Sequence, residues 1–469
     1  MELFPASIFR HACLRKISAK RAHAKSKGAM MKACSILALL AAVVLQPGCS
    51  DDDQPTASPD TDPTGISTVA SAKQRATDLQ VSPDDTAELV AGNRDFALRL
   101  FNAVREDSDG NFFYSPYSIS LALAMTYAGA RGDTEQAMAQ TLDFSLPQED
   151  LHAAFNAVDQ TLTSYSQRTD EGEEGSFFTL NIANSIWGQH GFEFLDQFLD
   201  LLAENYGAGM QLVGFSQNPE QARGLINDWV AEHTENRILD LIREGAITTL
   251  TRLVLTNAIY FNASWQHPFE EAQTTHGTFV RLDGDEVNVP LMHQSVRTSY
   301  SEGDGYQAGE LCYIGYQLSM IIFLPERGRF KEFENGFDVA RLAEITSGFR
   351  DTRVTLTMPR FEFESSIGLS EILPQLGMEL AFVPPAGSTG ADFSGMTGKR
   401  ELYIKDVLHK AFVSVDEQGT EAAASTAVLT EVTSMPGSAT MTIDRPYVFL
   451  IKDRAGTILF VGRVLAPSS

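Results

Sequence analysis

Apolar residues recur at helical spacing soon after residue 89, where Phe96, Leu100, Phe101 and Val104 fall on one face. The stretch "SPYSISLALAMTYAG" predicts a second helix, with Ser115 as its cap, Pro116 in its first turn and a stop at Gly129. Similar spacing predicts helices from about Gln148 to Tyr165, Phe194 to Tyr206 and Pro219 to Glu235. β-Branched and aromatic runs then take over: "LVLTNAIYF", "LSMIIFLP", "RVTLTMPRFEF" and "YVFLIKDRAGTILFVGRVL" read as strands, the last as a hairpin turning near Ala455-Gly456. No fixed-period repeat and no regular βαβ alternation accompany them, which points to an α+β domain. "RTDEGEEGS", Arg168 to Ser176, lacks apolar periodicity and reads as an acidic solvated loop.

Composition changes the picture mainly at the N-terminus. "KSKGAMMKACSILALLAAVVLQPGCS" sets lysines before an apolar run, Ile36 to Leu45, too short to span a bilayer comfortably, and ends at Cys49. This is the layout of an export signal over residues 1–48, with Cys49 placed as a lipid-bearing cysteine; Gln46 departs from the aliphatic residue such signals favour three positions earlier. A start at Met30 or Met31 gives a more usual signal length. Residues 49–88, rich in Asp, Pro, Thr and Ser, read as a flexible tether leading to a folded module over 89–469. The expected location is therefore the cell envelope, through lipidated Cys49, or the exterior after secretion.

The net charge of −25 deepens to −32 for a chain starting at Cys49, because eight of the 36 basic and one of the 61 acidic residues precede it. Such a balance argues against nucleic acid or polyanion partners. Of the four cysteines only Cys312 falls in the expected module, so no disulfide framework exists there, and its setting in "ELCYIGY" suggests a buried inert thiol. Nucleophile elbows, zinc-binding His-Glu-x-x-His and phosphate loops are missing, and the nine histidines show no metal-ligand spacing. Neither cofactor nor metal is expected. His409, in "LHKAFVSVDEQG", reads more simply as a structural histidine than as a base.

Five segments carry a resemblance: "NFFYSPYSISLALAMTYAGARGDT" at Asn111, "LTRLVLTNAIYFNASWQHPF" at Leu250, "PRFEFESSIGLSEILPQLGM" at Pro359, "LHKAFVSVDEQGTEAAAS" at Leu408 and "RPYVFLIKDRAGTILFVGRV" at Arg445. In this order and spacing they resemble the serpins, serine protease inhibitors, from about Leu89 to Pro467. The resemblance implies three β-sheets surrounded by about eight or nine helices, and an exposed reactive loop, here about 417–440. It implies an inhibitor rather than an enzyme: the protease's serine attacks a loop carbonyl, and the cleaved loop inserts into the central sheet as a new strand while its carbonyl is still esterified to that serine.

The resemblance assigns the hinge to Glu417, Gly419, Thr420, Glu421, Ala422, Ala423, Ala424 and Ser425. Strand alternation would send Thr420, Ala422, Ala424 and Thr426 to one face and Glu421, Ala423 and Ser425 to the other, so the one charge avoids the buried set. Gly419 is expected to supply backbone freedom for the bend. Relatives that have lost inhibition often carry charged, bulky or proline residues here; their alternative role is that of a binding or surface protein. Counting from Glu417 puts the scissile bond at Thr433-Ser434; counting back from Pro446 picks Met435-Pro436, and Val432-Thr433 is a further alternative. These uncharged residues favour elastase-like, subtilisin-like or chymotrypsin-like partners over trypsin-like ones. Ser115, Ser118, Asn257 and His409 match the family's polar switch for sheet opening, and Trp265 matches the tryptophan beneath the loop. A monomer is expected, with loop-into-sheet polymerisation as its hazard.

Overall fold

A computed structural model describes residues 65–167, 178–420 and 438–467, all within the unit that runs from Thr61 to the C-terminus. Helix α1 (Pro83–Asp107) starts where the Ser82 side chain accepts the Asp85 amide, and α2 (Pro116–Tyr127) where Ser115 accepts that of Ser118. Then follow α3 (Gly132–Leu142), α4 (Gln148–Gln167), α5 (Asp196–Tyr206) and α6 (Pro219–His233). The remaining helices, α7 (Phe330–Asn335), α8 (Val339–Ser347), α9 (Leu369–Leu373) and α10 (Ser394–Thr397), bring the α-helices among the described residues to ten. This count is close to the eight or nine that the resemblance implies, and α7, α9 and α10 are short, at six, five and four residues.

The central sheet contains β1 (Ser67–Val69), β3 (Phe178–Gln189), β4 (Met210–Val213), β5 (Leu253–Ser264), β11 (Phe361–Gly368), β12 (Asp406–Val415) and β13 (Gly419–Thr420), in the order β1-β4-β3-β5-β13-β12-β11. A second ladder joins β2 (Phe112–Tyr114), β6 (Thr275–Val280), β7 (Glu286–Gly303), β8 (Tyr306–Cys312), β9 (Leu318–Pro325), β10 (Arg350–Pro359), β14 (Ser438–Thr442), β15 (Tyr447–Asp453) and β16 (Ile458–Val464). The second and third of the expected three sheets run together here, because β7 pairs with β6 and β10 along most of its length and with β8 through its last four residues.

Strand β5 lies between two cores. Leu253, Leu255, Ile259, Phe261 and Ala263 face the main core, shared with α2 and β16, whereas Val254 and Ala258 face a smaller one with Trp187, Ile226 and Val230. A strand buried on both faces reads as a continuous apolar run, which is why its sequence shows little alternation.

Two boundaries differ from the sequence reading. The folded module does not begin at Leu89: β1 forms an edge of the central sheet, paired with β4, and α1 starts at Pro83. The segment between them is held by polar contacts that hydrophobicity does not register, Lys73 to Asp200 and Glu204, and Arg75 to Asn156 and Asp159. The run "RVTLTMPRFEF" is two strands in different sheets, β10 and β11, parted at Pro359-Arg360. Cys312 ends β8 partly exposed rather than buried.

Candidate functional site

Gly419 and Thr420, two described residues of the expected hinge, lie inside the central sheet. Strand β13 sits antiparallel between β5 and β12, with Thr420 opposite Ala263 on one side and Val415 on the other, and Gly419 opposite Ser264. Farther along, β5 and β12 pair directly and in parallel, from Asp406 with Val254 to Ala411 with Ile259. The sheet is thus parted at one end and closed at the other.

Each residue at the parted end has a packing reason to be there. Thr420 is buried, and its hydroxyl is 2.8 Å from that of Tyr313. The Trp265 ring stacks on Tyr313 at 4.6 Å, its Nε1–H donates to the Asp416 carbonyl at 3.0 Å, and its amide donates to the Gln418 carbonyl at 2.8 Å. Trp265 therefore forms the floor under the turn between β12 and β13. Glu417 is buried and accepts from Arg360 at 2.5 Å and from the Thr274 hydroxyl at 2.5 Å. Burial alone would raise its carboxyl pKa, but the guanidinium and hydroxyl outweigh it and hold the group below its usual range.

Gly419 has a different reason from the one expected. Its φ lies outside the left-handed region, so conformational freedom is not what the fold requires of it. A Cβ built there would stand 2.1 Å from the Ala263 carbonyl oxygen and 2.8 Å from the Ser264 Cα, so the backbones of β13 and β5 approach too closely for any side chain.

At the closed end, Ser115, Ser118, Asn257 and His409 come together as one fully buried network. Asn257 and His409 are direct partners in the parallel ladder, and their side chains are hydrogen bonded through Oδ1 and Nδ1. The Ser115 amide donates to His409 Nε2 at 3.2 Å, which fixes the ring as the neutral Nδ1–H tautomer. Asn257 Nδ2 donates to Ser118 Oγ and to Asn184 Oδ1, both at 2.5 Å, and Asn184 donates back to the Ser118 carbonyl at 3.0 Å. Asn184, on β3, was not found from the sequence; its only signal there was an asparagine inside an apolar strand, which needs a partner once buried. Burial holds the His409 pKa down at about 3. Tyr313, Arg360 and Thr274 also escaped the sequence reading, because they reach the hinge from elements remote in the chain.

Glu421, Ala422, Ala423, Ala424, Ser425, Val432, Thr433, Ser434 and Met435 lie outside the described residues, as does Cys49. Among the described residues, no three His, Cys, Asp or Glu side chains gather as a metal site, and no helix is long and apolar enough to cross a membrane.

With this geometry in hand, comparison with known proteins gives a consistent result. The family model for serpins (serine protease inhibitors) matches residues 91–467. An uncharacterized serpin-like protein of Thermococcus kodakarensis is 39% identical over 364 residues, 77% of this chain and 82% of that protein. The human leukocyte elastase inhibitor is 35% identical over 391 residues, covering 81% of this chain and all of the inhibitor. Among solved structures, the thermophilic serpin tengpin in its native state superposes with a TM-score of 0.73 at 29% identity, covering 84% of this chain and 97% of tengpin. The chain belongs to the serpin family.

Proposed function

We propose that this serpin is a suicide inhibitor of serine proteases, whose cleaved reactive loop becomes a full strand between β5 and β12. The observation that carries the reading is the lodged β13, because it sets a register. Continued in that register, Ala422 would face Phe261 and Val413, and Ala424 would face Ile259 and Ala411, all residues of the main core. Thr426 would come between Asn257 and His409, followed on the same face by Val428 and Thr430, the latter level with Leu253 at the start of β5. None of these core-facing residues is charged or large. Both glutamates of the segment, Glu421 and Glu431, fall on the other face, and Glu421 would meet the half-buried Asn262 and Ser414. A charge on the core face would cost several kcal/mol.

Insertion must replace the direct β5–β12 ladder, including the His409–Asn257 bond, with two new ladders. The Ser115–Ser118–Asn184–Asn257–His409 network is in this reading the latch on that exchange, and Trp265 supports the point where the strand enters. Carrying residue 433 from the parted end to the closed end moves an attached protease about 40 Å, at ~3.3 Å per residue. Displacing catalytic atoms by only about 1 Å can cost roughly 100-fold in rate, so the acyl-enzyme persists. The catalytic residues belong to the captured protease.

The bait is read as Thr433-Ser434, with Val432 and Met435 as the alternatives. Its uncharged character, together with the likeness to an elastase inhibitor, supports an elastase-like target. Residues 1–48 are read as an export signal and Cys49 as the lipid-bearing residue; the mass of the mature N-terminal peptide tests this. The function is tested by mixing the module with elastase, subtilisin, chymotrypsin and trypsin. A denaturation-resistant complex and the mass of the released C-terminal peptide are the expected outcome. Clean cleavage by every protease without complex would contradict the reading.

A further inference from the structure

The turn from Asp453 to Thr457, which joins β15 to β16, is seated against α1. A Cβ built on Gly456 would stand 3.9 Å from Val90 Cγ1, and Asn93 Nδ2 donates to the Ile458 carbonyl at 3.5 Å. Asp453 shapes the turn: its Oδ1 accepts the amides of Gly456 and Thr457, both at 2.8 Å, and its own amide donates to the Thr457 carbonyl at 3.0 Å. A short polar side chain that closes the backbone on itself is what such a turn needs, but asparagine would serve as well. These bonds do not explain why the residue is charged.

The charge is costly where it lies. Asp453 is 2% exposed, and burial pushes its carboxyl pKa up, against the two amides that pull it down. Its second oxygen takes no hydrogen bond among the described residues. The neighbouring cations do not compensate it: Lys452 pairs with Glu310 at 3.2 Å, and Arg454 is exposed and forms no ion pair among the described residues. The polar atoms left without a partner beside the turn are oxygens. Thr457 Oγ1 is one, and Asn93, with its nitrogen spent on Ile458, leaves Oδ1 as the other; the two residues are 1% and 2% exposed. The Tyr117 hydroxyl on α2, buried and also without a partner, lies within electrostatic reach of the Asp453 carboxylate. So does Arg75 with respect to Tyr117, but its guanidinium donates to Asn156 and Asp159.

Oxygens gathered beside an uncompensated buried carboxylate are the surroundings that a hard cation requires. We propose that Asp453, Asn93 and Thr457 form a binding site for a monovalent alkali cation, which ties α1 to the turn between β15 and β16. A single carboxylate balances one positive charge. Calcium sites collect more acidic oxygens, and magnesium retains several waters, for which a site this buried has little room. Asp453 supplies the charge, and Asn93 Oδ1 and Thr457 Oγ1 supply neutral ligands. The site owes nothing to the reactive loop, so it stands or falls apart from the inhibitory reading.

A cation held only by the folded chain raises its stability by mass action. The test is thermal unfolding of the protein at one ionic strength in sodium, potassium or choline chloride, choline being too large to enter. Wild type should melt about 2–3 °C higher in at least one alkali salt than in choline chloride, with an effect that saturates as that ion is raised. Asp453→Asn keeps an oxygen for the turn amides and puts an amide nitrogen where the cation would sit. It should therefore melt at the same temperature in all three salts, and the sodium-23 line broadening produced by wild type should be lost. Asn93→Ala leaves the turn intact and should raise the ion concentration needed by about tenfold. Equal melting of wild type in alkali and choline salts would overturn the proposal, leaving water or a proton in that place. An alkali effect undiminished in Asp453→Asn would overturn it too. Should that variant fail to fold, an unchanged ion requirement in Asn93→Ala would do the same.

Discussion

Replacing Thr420 by arginine tests the hinge most sharply. Thr420 is about 1% exposed, lies between Ala263 and Val415, and shares a hydrogen bond with Tyr313. Losing that bond costs about 1 kcal/mol, and forcing an unpaired guanidinium into the same site adds roughly 3–5 kcal/mol. In the intact protein the cost is avoidable, because β13 is only two residues long and can leave the sheet. After cleavage it cannot be avoided, since Thr420 leads the inserting strand. If about 3 kcal/mol appears in the insertion barrier, insertion slows by roughly 100-fold and hydrolysis of the acyl-enzyme overtakes it. The assay is the number of serpin molecules consumed per protease inhibited, alongside the denaturing-gel yield of complex. Thr420→Ser serves as the control that keeps the hydroxyl. The arginine variant should become mainly a substrate, with its thermal unfolding little changed. An undiminished yield of complex from it would refute the argument.

Further outcomes follow from the same geometry. Gly419→Ala should expel β13 from the sheet, because its Cβ has no room against the Ala263 carbonyl; proteolysis of the hinge should quicken. His409 has its folded pKa, about 3, below the unfolded value of about 6.5, so the stability it lends is complete above pH 6.5 and is lost as pH falls toward 3. At pH 5 that loss is about 2 kcal/mol, and protonated Nε2 also confronts the Ser115 amide instead of accepting from it. Heat-induced polymers should form faster at pH 5 than at pH 7.5, and His409→Gln should weaken that dependence without abolishing it, since buried His152 is held at about 3 as well. Arg360→Ala leaves the Glu417 carboxylate buried without its cation and should destabilise the intact protein by about 1–2 kcal/mol near pH 7, the low end reflecting solvent screening of the half-exposed arginine. Because the Glu417 pKa is held down, the pair's contribution is present above about pH 4.5 and disappears as pH falls below it; the urea midpoint of wild type and variant should converge there.

The sequence made the local part of this architecture readable. The Ser115-Pro116 start of α2, the continuous apolar run of β9 and the hairpin of β15 and β16 each depend on residues adjacent in the chain. The family pattern supplied what lies farther apart, bringing Ser118, Asn257 and His409 into one network. Contacts made by single polar side chains across long separations stayed hidden: Asn184 at the latch, Tyr313 under Thr420, Arg360 on Glu417. So did the fold's true beginning, because β1 is held by its ladder with β4 and by Lys73 and Arg75, and hydrophobic periodicity is blind to both. Gly419 shows the same limit from another side, since its need arises from the neighbouring strand rather than from its own torsion angles.

In the proposed mechanism the loop becomes a strand between β5 and β12. Amide hydrogen exchange of residues 421–430, compared between intact protein and protein cleaved within 432–435, tests it most directly. Insertion predicts that these amides, once paired on both sides, slow by orders of magnitude after cleavage, toward the protection of β5 itself. Exchange that stays as fast after cleavage as before would contradict the account.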